Sequence, residues 1–333
     1  MITVMLSSCN GGERLKRTLE SMTRAREPVG GCRLIAVDNC STDDSHTIMT
    51  SYSGLLPITV LQEAVPGKNR ALNRALEEAV KNASSDLFVF CDDDVLVSED
   101  WLLGWRAVAD DQPDYTAFAG LTLPHWPFGP PEWIPRLVNT TIVYATHADM
   151  HEGPCDMRCM HGTNMAVRAS EFRNGCRFNP NIGPNGSATY AMGSETDLAL
   201  RLEALGCECW FAERPAVYHI IRSDQLEKDW ILNRGYRFGR GTGLMGEPHN
   251  MSLSLGKLSV KNRVKAFVYP WLLPLLSLEE AWKRQWQWAY DCGYEDGALE
   301  RLGKPRLWLN AGRISICQSG QMARYNVPSK GLT

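Results

Sequence analysis

The stretch "VFCDDDV", residues 89–95, decides how this chain is read, because an apolar run closes there on three consecutive carboxylates, Asp92, Asp93 and Asp94. Like charges side by side disfavour one another's ionisation, so such a triplet is stable only where water, donors or a cation compensates it. An Asp-x-Asp pair at a strand end suits a hard divalent ion, Mg2+ or Mn2+, which takes carboxylate oxygen and shares its other positions with substrate phosphates. The competing reading is an acidic cap on the helix that "SEDWLLGW" (98–105) begins.

The pattern of an apolar run followed by a polar turn recurs upstream of the triplet. "ITVMLS" (2–7) is β-prone and is followed by Asn10-Gly11-Gly12 and a helical pattern through Leu15, Leu19 and Met22. "RLIAVD" (33–38) precedes "NCSTDDS", where Ser41, Thr42 and Asp43 are good helix N-caps. "PITVLQ" (57–62) precedes Pro66-Gly67 and "KNRALNRALEEAVKNA", in which Ala71, Leu72, Ala75, Leu76, Ala79 and Val80 form one apolar stripe. "DLFVFC" (86–91) then leads into the triplet. Strands alternating with helices at this interval predict an α/β fold, a doubly wound, mainly parallel sheet with helices on both faces. Ligands of such sheets bind outside the carboxyl ends of the strands, where Asp38 and the triplet both fall.

Downstream, the pattern predicts a helix over 98–110 and a strand near 115–121, then an irregular stretch, 122–160, rich in Pro, Trp and His. A stretch of that length without periodicity reads as a lid or acceptor loop. "GSETDLALRLEALG" (193–206) restores a helix with Gly206 as its stop, and beyond His219 the pattern is purely helical. The expected organisation is a catalytic α/β domain over 1–221 and a helical C-terminal extension over 222–333.

At 333 residues, 44% hydrophobic and 22% charged, the composition excludes disorder. Net charge is −3, divided unevenly: 17 Lys and Arg against 10 Asp and Glu from His219 onward leave a tail that fits an anionic partner. Eleven cysteines are too few for a disulfide-stapled scaffold of this length, and "MITVMLSSCN" lacks a basic leader, so reduced thiols and a cytoplasmic location are expected. No run of 18 apolar residues occurs; the nearest is "AFVYPWLLPLLSL" (266–278).

Seven segments in order, the first strand ending in Asn10, "VDNCSTDDS", "GKNRALNRAL", "FCDDDV", "HGTNMAVR", "GSETDLALRL" and "AVYH", resemble the family 2 glycosyltransferases. The resemblance covers residues 2–221. It implies a GT-A fold and inverting transfer of a sugar from a nucleotide-diphosphate donor, commonly UDP-linked, to an acceptor hydroxyl. It further implies that Ser8 and Asn10 line the donor site and that Asp38 hydrogen-bonds the base. Lys68 and Arg70 would reach donor groups, although Arg70 also reads as a solvated helix charge. Asp92 would contact ribose or the metal shell and Asp94 would ligate the ion bridging the phosphates. Asp93, in a strand of period two, would point the other way. Gly162 and Asn164 match the segment near the donor sugar, and His219 matches a histidine that completes the metal or diphosphate site.

Inverting transfer needs one base to take the acceptor proton. The resemblance places it at Glu195, with Asp197 as competitor, but Ser194-Glu195 stands where the family has Glu-Asp. Cys9 stands where the family commonly has an aromatic residue that stacks on the base, which leaves base identity open. The expected partners are a nucleotide-diphospho-sugar and a glycan, lipid-linked or small-molecule acceptor, without a nucleic acid. Two alternatives compete: a nucleotidyltransferase, for which "SSCNGGERLKR" is a faint phosphate loop, and a noncatalytic sugar-nucleotide- or glycan-binding protein.

Other clusters have simpler readings. Cys155, Cys159 and His161, with His147 and His151, have a spacing that matches no standard zinc knuckle. Cys207 and Cys209 read as packing residues on a strand. Trp126 and Trp133 are candidate acceptor platforms, and Arg234, Arg237 and Arg240 either grip an anion or form a solvated face. Residues 257–282 place Lys257, Lys261, Arg263 and Lys265 before a short apolar run, the composition either of a buried helix or of an anchor lying on an anionic membrane.

Overall fold

The computed structural model of the protein describes residues 1–126, 128–147, 149–249 and 254–308. Its elements in order are β1 (Ile2–Ser8), α1 (Gly12–Met22), β2 (Cys32–Asn39), α2 (Ser45–Ser51), β3 (Ile58–Glu63), α3 (Lys68–Ala79), β4 (Leu87–Cys91), β5 (Val95–Val97), α4 (Trp101–Asp111) and β6 (Ala117–His125). They continue with α5 (Trp133–Leu137), α6 (Thr140–Tyr144), β7 (Gly153–Cys155), β8 (Met165–Arg168), α7 (Ala169–Arg173), α8 (Ser194–Ala204), β9 (Cys209–Ile220), α9 (Lys228–Met245), α10 (Leu255–Leu272) and α11 (Leu278–Arg301). The chain divides into two compact units, Met1–Leu226 and Glu227–Thr333.

The first unit is built on one sheet with strand order β3-β2-β1-β4-β8-β6-β9-β5, and β7 pairs with β9. β3, β2, β1 and β4 are parallel neighbours. Beyond β4 the sheet is mixed: β8 runs antiparallel to both β4 and β6, whereas β6 and β9 are parallel. β1 and β4 are apolar runs because both their faces are covered. Alternation along β1 divides them: Val4 and Leu6 pack with Leu15, Leu19, Trp101 and Trp105 of α1 and α4, while Met5 packs with Ala71, Leu72, Leu76, Leu198 and Leu202 of α3 and α8. The chain order reverses between β1 and β4, the switch point at which open α/β sheets bind ligands.

Two expectations about the chain's course change. Asp92–Asp94 do not continue a strand; they form a turn between β4 and β5, so period-two alternation does not apply to Asp93. The stretch 122–160 is more ordered than its composition implies, because β6 runs to His125 and Gly153–Cys155 pairs with β9. Pro124, inside β6, is the residue that disguises the strand's end. Cys209 opens β9 and is buried, whereas Cys207 precedes the strand.

In the second unit, α9 and α11 approach at glycine. A Cβ at Gly239, Gly243, Gly293 or Gly297 would overlap the carbonyl oxygen of Tyr290, Tyr294, Tyr236 or Arg240, respectively. α10 packs Leu258, Asn262 and Tyr269 inward, with Tyr269 meeting Trp288 edge-on at 5.4 Å. Arg240 is spent on Glu300 at 2.6 Å, and Arg234 and Arg237 lie over the Trp230 ring at 5.9 and 5.5 Å, so the three arginines do not form a common solvated face. No helix among the described residues is long and apolar enough to cross a membrane. Residues 309–333, part of the expected extension, lie outside the described residues.

Candidate active site

The three carboxylates of the opening stretch are stabilised in three different ways, because the turn fans them apart. Asp92 meets the Lys68 ammonium at 2.6 Å, Asp93 accepts a short hydrogen bond from the Ser8 hydroxyl, and Asp94 lies 3.4 Å from Nε2 of His219. Burial pushes Asp92 up, a rise that Lys68 opposes and Asp94 reinforces. Burial and the neighbouring Asp94 raise Asp93 to about 7. For Asp94, burial is outweighed by the His219 imidazolium, which holds the carboxyl down at about 2. His219 is held in turn: its Nδ1–H donates to the Tyr144 carbonyl at 2.7 Å, leaving only Nε2 to face Asp94.

Backbone geometry explains the sequence around this turn. Gly11 lies against Asp93 and Ser8, and a Cβ there would meet the Ser8 hydroxyl and stand 2.8 Å from the Asp93 carboxylate. Asn10 takes a left-handed φ of 53° and caps the next loop, its Oδ1 accepting from the Thr42 amide at 2.8 Å. Asp38, at the end of β2, is largely buried; it accepts from the Ser41 amide at 3.2 Å and lies 3.7 Å from His46. Asn39 holds the entry to α3, accepting from the Gly67 amide at 2.7 Å and donating to the Val65 carbonyl at 2.9 Å. Lys68 is thereby set on the first turn of α3, whereas Arg70 on the same turn is exposed.

Lys68 joins the acidic turn to α8. Its ammonium lies 3.1 Å from Oε1 of Glu195 as well as 2.6 Å from Asp92. Burial lowers its affinity for the proton, but the two carboxylates outweigh this and raise it. Burial likewise pushes Glu195 up, and Lys68 outweighs it, holding the carboxyl below its ordinary range. Gly162 leaves the space in which these groups meet: a Cβ there would overlap the Glu195 carboxylate and come within 2.6 Å of Lys68 Nζ.

Asp197, two residues along α8, faces elsewhere. Arg201 grips its Oδ2 through Nε at 3.0 Å and Nη2 at 2.7 Å. Asn164, expected near the donor, is fully buried in the frame. Its Oδ1 accepts from Trp101 Nε1 at 2.8 Å, and its Nδ2 donates to the carbonyls of Leu121 at 3.0 Å and Pro215 at 2.5 Å. The structure thus gathers Lys68, Asp92, Gly162 and Glu195 into one set of contacts, pairs Ser8 with Asp93 and His219 with Asp94 on the same turn, and leaves Asp197 and the Asn164 side chain out of them.

Sequence reasoning missed Tyr144, whose carbonyl orients His219, and Arg201, whose spacing of four from Asp197 was a readable ion-pair signal. The cysteine and histidine cluster packs together rather than around a metal: His147 stacks on His161 at 4.3 Å and its Nε2–H donates to the Cys159 carbonyl at 2.9 Å, the Cys155 and Cys159 thiols are in contact, and His151 lies exposed beside Glu213. Trp126 is a brace, meeting the Tyr144 ring edge-on at 5.3 Å.

A divalent ion can be tested against this donor set. Asp92 is committed to Lys68, but Asp94 and Nε2 of His219 stand together, and an ion binding there would displace the Nε2 proton to take a hard oxygen beside a neutral imidazole. Among the described residues no three His, Cys, Asp or Glu gather to hold a metal by themselves. That fits an ion completed by substrate phosphates and water, as is usual for Mg2+.

Comparison with known proteins places this geometry. The model of the glycosyl transferase family 2 matches residues 3–174. A glucosyl-dolichyl phosphate glucuronosyltransferase of Haloferax volcanii is 21% identical over 179 residues, 54% of this chain and 56% of its own, so this chain spans about half the length of that relative. A mannosyltransferase from Pyrobaculum calidifontis, solved with GDP-Man and Mn2+, superposes with a TM-score of 0.57 at 14% identity over 90% of this chain and 86% of its own. TarS 1–349 of S. aureus reaches a TM-score of 0.48 at 16% identity, over 91% of this chain and 92% of its own. The fold is that of the GT-A glycosyltransferases, and with more than half of its length matched the chain belongs to glycosyl transferase family 2.

Proposed function

We propose that the protein is an inverting glycosyltransferase in which Glu195 is the base, Lys68 holds that base ionised, and a nucleotide-diphospho-sugar is the donor. The observation that carries this reading is the single ammonium shared by Asp92 and Glu195, 2.6 and 3.1 Å away. It ties the acidic turn at the sheet's switch point to the start of α8. A carboxylate kept below its ordinary range by Lys68 is ionised at neutral pH, ready to accept the proton of an attacking hydroxyl. Asp197 is less suited to the role because both its oxygens are engaged, Oδ2 by Arg201 and Oδ1 by Asn179 at 3.4 Å, whereas Lys68 engages only Oε1 of Glu195.

Asp94 and His219 would hold a divalent ion, Mg2+ or Mn2+, with Asp92 alongside. Such an ion supplies positive charge for the diphosphate as it leaves. Asp38 at the end of β2, with Ser8 and Asn10 on the neighbouring strand end, would receive the nucleoside, and we read the donor as UDP-linked. The acceptor is read as a hydroxyl of a glycan or lipid-linked molecule.

The test is Glu195→Gln beside Asp197→Asn, assayed for sugar release or transfer with a panel of UDP- and GDP-sugars and Mn2+. Glu195→Gln is expected to bind donor normally and to lose turnover by about 10² to 10⁴, the usual contribution of a general base. If Glu195→Gln keeps its turnover and Asp197→Asn loses it, the assignment is overturned.

A further inference from the structure

We infer that the outer face of α10 is a docking surface for an anionic lipid bilayer. Val260, Val264, Phe267 and Trp271 follow one another at steps of four, three and four residues, the spacing of a single helical face, and Leu275 follows in the turn beyond the helix. All five are exposed, Phe267 at 78%, Trp271 at 77% and Leu275 at 81%. The opposite face of the same helix, with Leu258, Asn262 and Tyr269, is the one turned into the second unit. A row of five apolar side chains left outside while the polar Asn262 is buried is the reverse of what folding alone selects.

Charge identifies the occupant. Residues 248–278 contain no Asp or Glu but contain Lys257, Lys261, Arg263 and Lys265. Lys265 is committed inward to Asp291 at 2.7 Å, while Lys257 and Arg263 are exposed beside the apolar row. A second copy presenting the same face would set positive charge against positive charge, whereas an anionic leaflet complements it. The geometry also favours lying on a bilayer over crossing it. Pro270 sits in the last turn of α10, and the chain tightens into a 3-10 turn at Leu273–Leu275. From Val260 to Trp271 the row extends about 16 Å at 1.5 Å per residue, half of a hydrocarbon core. An exposed apolar row with basic residues beside it and a Trp near its end is suited to rest at the headgroup boundary.

The experiment is co-sedimentation of the full chain with vesicles of phosphatidylcholine alone and of phosphatidylcholine with phosphatidylglycerol. The wild type is expected to pellet with the anionic vesicles and to be released as salt rises. Phe267→Ser with Trp271→Ser should reduce partitioning at least about tenfold without changing the thermal melt, since both side chains are already in water. Lys257→Glu with Arg263→Glu should weaken binding to anionic vesicles by at least about tenfold, at roughly fivefold for each basic charge lost. Three results overturn the inference: equal recovery of wild type in the supernatant with both vesicle types, binding of the Phe267/Trp271 variant as tight as wild type, or a salt-stable dimer dissolved by that variant without any vesicle binding.

Discussion

Asn164→Ala separates a residue that builds the site from one that touches the donor. The side chain is fully buried and satisfies three groups: the Trp101 indole N–H at 2.8 Å and the carbonyls of Leu121 and Pro215 at 3.0 and 2.5 Å. Alanine leaves all three without a partner, at about 1–3 kcal/mol for each stranded group. Gly120 lies against the amide, where a Cβ would overlap it, so the site is shaped closely around this side chain. Allowing for partial relaxation, the loss should be about 4 kcal/mol, or about 8–16 °C in Tm for a unit of this size. Urea titration of the full chain followed by intrinsic fluorescence measures it. In a double-mutant cycle with Trp101→Phe the two losses should fall short of additivity by about 1–2 kcal/mol, because both remove the same bond. Donor affinity of the folded fraction should stay within a few-fold of wild type. A stability loss below about 1 kcal/mol, accompanied by a tenfold or greater loss of donor affinity, would refute the framing role and restore Asn164 to the donor site.

Asp94→Ala should abolish the Mn2+-dependent gain in nucleoside diphosphate affinity and lower the metal-free melt, since His219 loses its anionic partner; titration calorimetry of the folded protein with and without Mn2+ decides it, and unchanged metal dependence removes Asp94 from the ion. His147 is pushed down to about 3 by burial and then by His161, so the folded protein does not take up the proton that the unfolded chain binds below about 6.5. Its contribution is fully present above about 6.5 and falls by roughly 1.4 kcal/mol per pH unit as pH drops towards the folded value. His147→Gln should therefore flatten the acid side of the stability profile by about one proton, and an unchanged slope in urea midpoints between about pH 6 and pH 4 would contradict this account.

Local order along the chain was legible because it rests on short-range rules. Apolar runs such as "ITVML" and "LFVFC" can be buried on both faces only in a covered parallel sheet, and the turns after them place Asp38 and Asp92–Asp94 on one edge whatever the details of packing. The stripe on α3 and the start of α8 were readable for the same reason, and with them the positions of Lys68 and Glu195. What each polar side chain does was not written there, because partners lie far apart in sequence. Asp197 and Glu195 stand two residues apart on α8; the i,i+4 spacing to Arg201 marks the partner of Asp197, but only the folded chain brings Glu195 to Lys68, 127 residues away. Asn164 carries the same short motif whether it faces a sugar or the Trp101 indole, and the choice is made by where β6, α4 and β9 meet around it. Pro124 hid the end of a strand because a local rule against proline in strands was overridden by the pairing of β6 with β9. On α10 the apolar residues were visible as composition, but they lie on both faces, so burial and exposure depend on which face a neighbour covers, and α11 covers the face of Asn262 and Tyr269, leaving Phe267 and Trp271 outside.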